Sequence, residues 1–328
     1  MVFCRRHLQV LVGALALWTM MAAPAAATVV RFQTTAGNID VRMFDAATPV
    51  HVENALAYIN SNRWDGTFVH RSARTQGDAP FVIQGGGYVI DSSLFDEPLE
   101  SGWHRIPNFG TVINEPGISN LRGTMALAKT SAGPSTGTSE WFINLTNNSF
   151  LDLPQNNSFT AFGRIVGNGL AVADAIAALA RVKASVFIEN NPATTLDDEY
   201  YNTAFSELPI VNLTKVQSQD DVLNDDVVRM IDVRALNIPA GDYNFDGRVN
   251  AADLTVWRNS FGSTTQAEAD GNGDGRVNGA DFLIWQRTLG LDFGVPTAAP
   301  VPEPVTAILA LTFAGALRRR RAHLAPGQ

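Results

Sequence analysis

Short runs in which apolar and polar residues alternate open the main part of the chain. Residues 29–34 and 39–44 have the two-residue period of strands with one buried face, and the Gly-Asn pair at 37–38 predicts a hairpin turn between them. A helix is expected next, with Thr48 as its cap and Pro49 at its first position. Its apolar face recurs at helical spacing, at Val52, Leu56 and Ile59.

Further short apolar segments predict more strands than helices. One longer segment, 170–180, has a helical pattern, and no regular alternation of strand and helix appears along the chain. This pattern favours a β-barrel or sandwich with helices packed at its ends over a doubly wound sheet. The further strands are expected at 67–69, 81–84, 123–128, 141–144, 161–165, 208–213 and 227–233.

The beginning of the chain predicts export. Residues 1–27 have the order of a signal peptide, with two arginines, an apolar stretch and three alanines before a mature start near Thr28. A retained anchor is the alternative, although the apolar stretch is shorter than the ~20 residues that span a bilayer. The single cysteine, Cys4, lies in this segment, so the mature chain would have no disulfide and no thiol chemistry.

The charge of the chain argues against nucleic acid as a partner. The formal net charge is −8 at pH 7, and removal of the leader's two arginines, with no acidic residue, lowers it to −10. An acidic protein repels phosphate backbones, so no nucleic acid is expected to bind.

Five motifs follow one another over about a hundred residues. In this order they resemble the cyclophilin type of peptidyl-prolyl cis-trans isomerase. The resemblance implies a mainly β fold with helices, a closed cyclophilin-like barrel capped by two helices over 28–236, and isomerisation of X-Pro bonds without a cofactor. The motifs are FVHR at 68–71, APFVIQGGGY at 79–88, GTMALAKTSAGPSTGTSEWFINL at 123–145, FLDL at 150–153 and FTAFGRIV at 159–166.

Rotation about a prolyl bond needs loss of amide resonance, a barrier of roughly 18–20 kcal/mol. A catalyst can supply an apolar slot for the ring and a donor directed at the imide nitrogen. The resemblance implies that Arg71 is this donor and that Gln84 binds the substrate backbone and helps to hold Arg71. It implies that Ala128 and Lys129 align the peptide. The walls of the proline pocket would be Phe81, Val82, Phe142 and Leu151.

Two substrate-site positions depart from the residues common in the family. Glu140 stands where Gln is most frequent, and its carboxylate could pair with Arg71 and orient it or compete with the substrate. Phe159 stands where His or Tyr is frequent, so a polar group is missing from the pocket rim. These departures keep a second interpretation open, a cyclophilin fold that binds proline peptides with little turnover and serves in surface attachment.

Residues 237–291 are rich in Asp, Asn and Gly and contain one twelve-residue loop twice, 28 residues apart. Each loop has oxygen-bearing side chains at positions 1, 3, 5, 9 and 12, Gly at position 6 and a main-chain carbonyl at position 7, which are the hard ligands that Ca²⁺ prefers. An amphipathic helix is expected after each loop. The two predicted calcium sites comprise Asp242, Asn244, Asp246, Arg248, Asn250 and Asp253, and Asp270, Asn272, Asp274, Arg276, Asn278 and Asp281.

The repeat resembles a type I dockerin, because Asp occupies position 12 and one helix follows each loop. The resemblance implies a cohesin-like partner. Positions 10 and 11, where recognition often uses a Ser-Thr pair, are Ala251-Ala252 and Gly279-Ala280 here. Cohesin binding and an intramolecular or spacer role are therefore both open, and a mainly scaffolding surface protein is a third interpretation of the whole chain.

The end of the chain, 292–328, combines a Pro/Ala linker, VPEP at 301–304, an apolar stretch at 305–317 and four arginines. It resembles the PEP-CTERM sorting signal of bacterial surface proteins. The resemblance implies a sorting enzyme as a partner and a location in the periplasm or at the cell surface, with the tail holding the chain at the membrane. A permanent single anchor is the alternative.

Overall fold

The computed structural model describes residues 27–90, 103–156, 158–182, 205–211, 225–266 and 268–293. Residues 1–26 of the predicted leader and residues 294–328 of the predicted sorting tail lie outside them. The strands of the described residues are β1 (Val29–Thr34), β2 (Gly37–Met43), β3 (Arg71–Arg74), β4 (Pro80–Gly85), β5 (Tyr88–Ile90), β6 (Trp103–Arg105), β7 (Thr124–Leu127), β8 (Trp141–Asn144), β9 (Ala161–Val166), β10 (Ala180–Val182), β11 (Leu208–Ile210) and β12 (Met230–Leu236). Their α-helices are α1 (Pro49–Asn60), α2 (Gly169–Ala178), α3 (Ala251–Ser260) and α4 (Gly279–Thr288).

The first two strands form a hairpin, but its turn lies earlier than predicted. Thr34 pairs with Gly37, so Thr35 and Ala36 form the turn and Gly37 begins β2 with a φ of +134°. The Thr34 hydroxyl donates to Gly37 O at 2.7 Å and accepts from Ala36 N at 3.0 Å. A Cβ at Gly37 would lie 3.0 Å from the Val172 side chain of α2, so the helix packs directly on this turn.

Helix α1 begins at Pro49 as predicted, but a distant residue caps it. Thr48 makes no side-chain cap bond, and its hydroxyl donates to a main-chain carbonyl of the preceding turn. The Glu115 carboxylate instead accepts from Val50 N at 3.2 Å and from His51 N at 2.9 Å. A carboxylate at the positive end of the helix dipole thus satisfies amides that lack an intrahelical partner.

Eight of the described strands form one antiparallel sheet in the order β12-β1-β2-β9-β7-β8-β4-β3. Side chains that alternate to one face, among them Ile83, Met125 and Ile143, build the main apolar core. Residues of α1 and α2 pack into the same core. The predicted mainly β fold with few helices is confirmed.

The two edges of this sheet meet near β3. Val69 N donates to Val228 O at 2.9 Å, and Met230 N donates to Thr67 O at 2.6 Å. The predicted strand at 67–69 forms only isolated bridges, from Thr67 to Val89 and from Phe68 to Arg229. A short set of bridges, rather than a continuous ladder, therefore joins the edges of the curled sheet.

The C-terminal segment contains the two helices predicted after the calcium loops. Each helix begins with a capping box, in which Asn at loop position 9 is the cap and Asp at position 12 accepts from the cap amide. Trp257 Nε1 donates to Asn278 O, and Trp285 Nε1 donates to Asn250 O, both at 2.9 Å. These reciprocal bonds link each helix to the loop of the other repeat.

No helix within the described ranges has the length and apolar character needed to cross a membrane.

Candidate active site and calcium loops

A row of residues across four strands forms the base of the candidate active site. Arg71 of β3 pairs with Gln84 of β4. Gln84 pairs with Phe142 of β8, and Phe142 pairs with Ala126 of β7. Residues paired across a sheet share a face, and their neighbours along the strands, such as Ile143, point into the core. The row therefore lies on the outer face of the sheet.

Arg71, Gln84 and Phe142 of this row border a cavity of about 240 Å³. The volume is below the roughly 300–1,000 Å³ of pockets for drug-sized ligands and suits a single small ring. Nine of the ten active-site residues predicted from the sequence line this cavity, while their individual roles stay predictions. The nine are Arg71, Phe81, Val82, Gln84, Ala128, Lys129, Phe142, Leu151 and Phe159.

Contacts among the apolar residues hold the cavity walls in place. Phe142 is buried, and Phe159 meets it edge-on with ring centroids 5.6 Å apart. Phe81 stacks on the exposed Phe150 at 5.9 Å. Leu151 lies in a 3₁₀ turn whose carbonyl accepts from Phe159 N at 2.8 Å. The walls can therefore exclude water from one side of a bound ring without rearrangement.

A residue that the sequence analysis missed holds Arg71. Arg71 Nε donates to Glu207 Oε2 at 3.0 Å, and Arg181 Nη1 donates to Glu207 Oε1 at 3.4 Å. Glu207 follows Arg71 by 136 positions and lies just before β11, outside every motif that predicted the site. No local sequence pattern could have identified it, because the contact depends on the tertiary fold.

Glu140, the tenth predicted residue, does not line the cavity. It lies behind Gln84, whose Nε2 donates to Glu140 Oε2 at 2.7 Å. His70 Nε2 lies 3.5 Å from Oε2, and Arg105 Nη1 lies 3.6 Å from Oε1. Among the residues that the structure describes, these are the partners of the carboxylate. A pair with Arg71, one of the two possibilities considered for Glu140, is therefore not formed.

The surroundings of Glu140 keep its carboxylate ionised. Burial by itself raises the pKa of this carboxyl, but the buried His70 ring beside it opposes that effect. The charge of Arg105 and the hydrogen bond from Gln84 act in the same direction as His70, and the pKa falls below its ordinary value. Glu140 is therefore a fixed acceptor for the Gln84 amide.

Lys129 brings a positive charge to the cavity rim. Its Nζ donates to Asn114 Oδ1 at 3.0 Å and to Ser158 O at 3.2 Å, and it lies 4.7 Å from the centre of the Phe159 ring. Burial lowers the pKa of this ammonium group to about 8. The group is still mainly charged at neutral pH and loses its proton in mildly alkaline solution.

Each calcium loop has the turn that its position 6 requires. Gly247 and Gly275 have φ values of +85° and +83°, which glycine adopts without strain. Asp242 Oδ2 accepts from Gly247 N at 2.8 Å, and Asp270 Oδ2 accepts from Gly275 N at 2.9 Å. The two repeats therefore fold alike around their first aspartate.

The donor chemistry of both loops fits a hard cation. Burial raises the pKa of Asp242 to about 6 and that of Asp270 to about 7, and repulsion from the other aspartates of each loop adds to this rise. A bound cation would offset that repulsion. In the described part of the chain, however, no three His, Cys, Asp or Glu residues are arranged to hold a metal ion. The predicted calcium ligands therefore stay predictions.

The fold and the cavity define a mainly β protein with an apolar ring-sized slot beside an arginine. The family model described as cyclophilin type peptidyl-prolyl cis-trans isomerase matches residues 29–197, and the model of the dockerin type I domain matches residues 240–290. The chain therefore belongs to the cyclophilin type peptidyl-prolyl cis-trans isomerase family. Its second segment is similar to type I dockerin domains.

Curated relatives agree with this assignment. Peptidyl-prolyl cis-trans isomerase A of Dickeya dadantii is 35% identical over 177 residues, which cover 52% of this chain and 84% of that protein. A peptidyl-prolyl cis-trans isomerase of Acinetobacter baylyi is 31% identical over 153 residues, covering 46% and 72%. Isomerase cyp18 of Streptomyces antibioticus is 34% identical over 153 residues, covering 45% and 81%. The predicted enzyme class, a peptidyl-prolyl cis-trans isomerase, is confirmed.

Proposed function

We propose that this isomerase acts on X-Pro bonds of exported proteins, with Arg71 as the donor to the imide nitrogen. The observation that carries the proposal is the single cavity that combines Arg71 and Gln84 with apolar walls. The leader-like pattern of residues 1–27 supports exported proteins as substrates.

The proposed reaction uses binding and one directed hydrogen bond. The proline ring enters the slot between Val82, Phe142 and Leu151, where water is excluded. As amide resonance is lost, the lone pair of the imide nitrogen becomes available, and the Arg71 guanidinium donates to it. The interaction is stronger in the twisted state than in the planar one, so it lowers the barrier. No proton transfer is needed, so His70 has no catalytic role in this proposal.

Glu140 sets the direction of the Gln84 amide. Because Gln84 Nε2 donates to the Glu140 carboxylate, the amide oxygen of Gln84 is directed to its other side. That oxygen is an acceptor for a main-chain N–H of the substrate or for Arg71. A carboxylate accepts only, so it fixes this orientation more firmly than a glutamine, which can donate as well.

Glu207 sets the position of Arg71. Its carboxylate accepts the hydrogen bond from Arg71 Nε. The terminal nitrogens of the guanidinium are then left to donate to the substrate. The interpretation as a weak proline-binding module rested partly on Glu140 competing for Arg71. That argument loses its support, because Glu140 contacts Gln84.

The proposal extends to the other segments of the chain. The dockerin match supports calcium binding by the two loops, with the twelve predicted residues as ligands, and a cohesin-like partner for the segment. The metal would supply positive charge that lets each acidic loop fold. The pattern of 292–328 supports a sorting enzyme as a further partner and retention at the cell surface or in the periplasm.

A protease-coupled assay on Ala-Pro peptides tests the catalytic role of Arg71. We expect Arg71→Ala to lower kcat/KM by about 100-fold, the usual cost of removing one directed donor. Arg122→Ala is the matched control, since Arg122 is also paired with a carboxylate and is 40% exposed, against 39% for Arg71. An Arg71→Ala enzyme with the activity of the control would contradict the proposal, and an inactive wild type would favour the binding module.

A further inference from the structure

Two arginines on the outer face of the sheet are covered by the calcium module, residues 237–291. Arg42 of β2 and Arg164 of β9 are cross-strand partners and are only 1% and 5% exposed. Arg42 donates to Asp270 O at 3.0 Å and to Asp242 O at 3.4 Å. One guanidinium thus contacts the main chain at the first residue of both calcium loops.

Arg164 adds a second attachment point. It donates to Thr265 O at 2.9 Å and to Thr264 O at 3.3 Å, in the segment between α3 and the second loop. Burial lowers the pKa of Arg42 and of Arg164, and acidic groups of the module, including Asp270 and Glu268, oppose that effect. Two like charges side by side in a buried place would be unfavourable without these main-chain acceptors.

Main-chain contacts extend the interface along the second loop. Ala47 N of the isomerase domain donates to Gly273 O at 3.3 Å. A Cβ at Gly273 would lie 2.7 Å from Asp45 N, and one at Gly275 would lie 2.4 Å from the Ile118 side chain. The second loop therefore lies directly against the isomerase domain, residues 28–236.

The two calcium loops differ at position 4, and the contact with the isomerase domain explains this difference. Position 4 is Gly273 in the second loop and Phe245 in the first, with φ values of +68° and +61°. The loop conformation thus accepts an aromatic side chain at position 4, and only the neighbouring domain forbids one at Gly273. Phe245 instead makes a cation–π contact with Arg42, whose guanidinium carbon lies 5.2 Å from the centre of the ring.

We propose that the calcium module is a clamp in cis, with Arg42 and Arg164 as its attachment points, and that calcium in its loops stabilises the isomerase domain. The inference rests on the proposed calcium binding. It gives the module a partner within its own chain, where a type I dockerin implies one on another protein.

The direction of the effect follows from the acceptors. The arginines donate to main-chain carbonyls and not to carboxylates. Neutralising the carboxylates with calcium removes none of these bonds, whereas a loop unfolded by its own repulsion loses all of them. The bonds thus depend on the folded loop, which bound calcium would stabilise.

Hydrogen–deuterium exchange of the full chain tests the coupling, with calcium or EDTA present. We expect calcium to slow exchange in β2 by about tenfold or more, because calcium at about 100 times its Kd favours the folded loops by roughly 100-fold. Gly273→Phe copies the first loop and should keep calcium binding in calorimetry. In this variant we expect calcium to slow exchange in α4 but no longer in β2.

The possible results distinguish calcium binding by the loops from the proposed clamp on the isomerase domain. No calcium binding in calorimetry would remove the proposed metal and the clamp together. Calcium binding with unchanged β2 exchange in the wild type, or equal slowing in Gly273→Phe, would overturn the clamp alone. Arg42→Met gives a second test from the isomerase side of the interface, with its isomerase activity as the check of folding. In this variant calcium should no longer slow hydrogen–deuterium exchange in β2.

Discussion

Arg71 Nε and Glu207 Oε2 lie 3.0 Å apart and join strand β3 to the residues just before β11. The same carboxylate contacts Arg181 of β10. The proposed catalytic arginine is therefore held by a part of the fold that lies outside the family motifs.

Removal of the Glu207 charge should slow the reaction without much effect on substrate binding. We expect Glu207→Gln to lower kcat about tenfold with KM within about twofold, because a charge-assisted hydrogen bond is roughly twice as strong as a neutral one. The measurement is the protease-coupled assay. Asp78→Asn is the control, since Asp78 pairs with Arg181 at 3.0 Å and its removal leaves the bond from Glu207 to Arg71. Equal losses in both variants would indicate a structural role.

Replacement of Glu140 by Gln should leave the enzyme active, with kcat/KM within about threefold, because a glutamine carbonyl can still accept from Gln84. The negative charge of Glu140 should instead affect the stability of the folded protein. The folded pKa lies below the ordinary value of 4.5, so ionised Glu140 stabilises the protein above that pH and loses its contribution as the pH falls through the folded pKa.

Thermal unfolding between pH 7 and about pH 3 tests this. The wild type should have the higher Tm at neutral pH, and the difference from Glu140→Gln should vanish in acid. Glu53→Gln, on the exposed face of α1, is the control. A large gain of activity in Glu140→Gln would show that the carboxylate restrains Arg71 after all.

Lys129 should make the stability depend on pH in alkaline solution. Its pKa is about 8 in the folded protein and 10.5 ordinarily, so between these values the unfolded chain binds more protons than the folded one. Stability contributed by this group therefore rises from pH 8 to pH 10.5. We expect the Tm of the wild type to rise relative to that of Lys129→Met over this range. A constant difference would contradict the low pKa.

Loss of the first aspartate of a calcium loop should weaken that site. We expect Asp270→Asn to reduce calcium affinity at the second loop by about tenfold or more, because ligand charge sets the affinity of such loops. Calorimetry and circular dichroism with and without EDTA measure it. Asp174→Asn, which removes an acidic side chain of α2 outside the calcium loops, should leave calcium binding unchanged. Unaltered affinity in Asp270→Asn would refute this ligand.

The elements that depend on neighbouring residues could be predicted from the sequence. Pro49 at the start of α1, the strand Trp141–Asn144 and the helices after the calcium loops all follow from local patterns. The hairpin turn was misplaced, because the side chain of Thr34 and the packing of Val172 on Gly37 decide its position. Sequence spacing contains neither contact.

The candidate site divides in the same way. Motif order brought nine lining residues together, since strands keep their register across the sheet. Glu207 and Glu115 were missed, because each acts on a residue more than sixty positions away. The partner of Glu140 was misjudged for the same reason: a carboxylate chooses among all cations and amides that the fold places near it.

The reciprocal bonds of Trp257 and Trp285 make the two repeats of the calcium module nearly interchangeable. A module with such pseudo-symmetry could rest on a surface in either of two orientations. Gly273 and Phe245 remove that ambiguity, since rotating the module by half a turn would drive the phenylalanine into Asp45 and Met43. The module therefore has one orientation on the isomerase domain, and a glycine in the second loop determines which repeat lies against it.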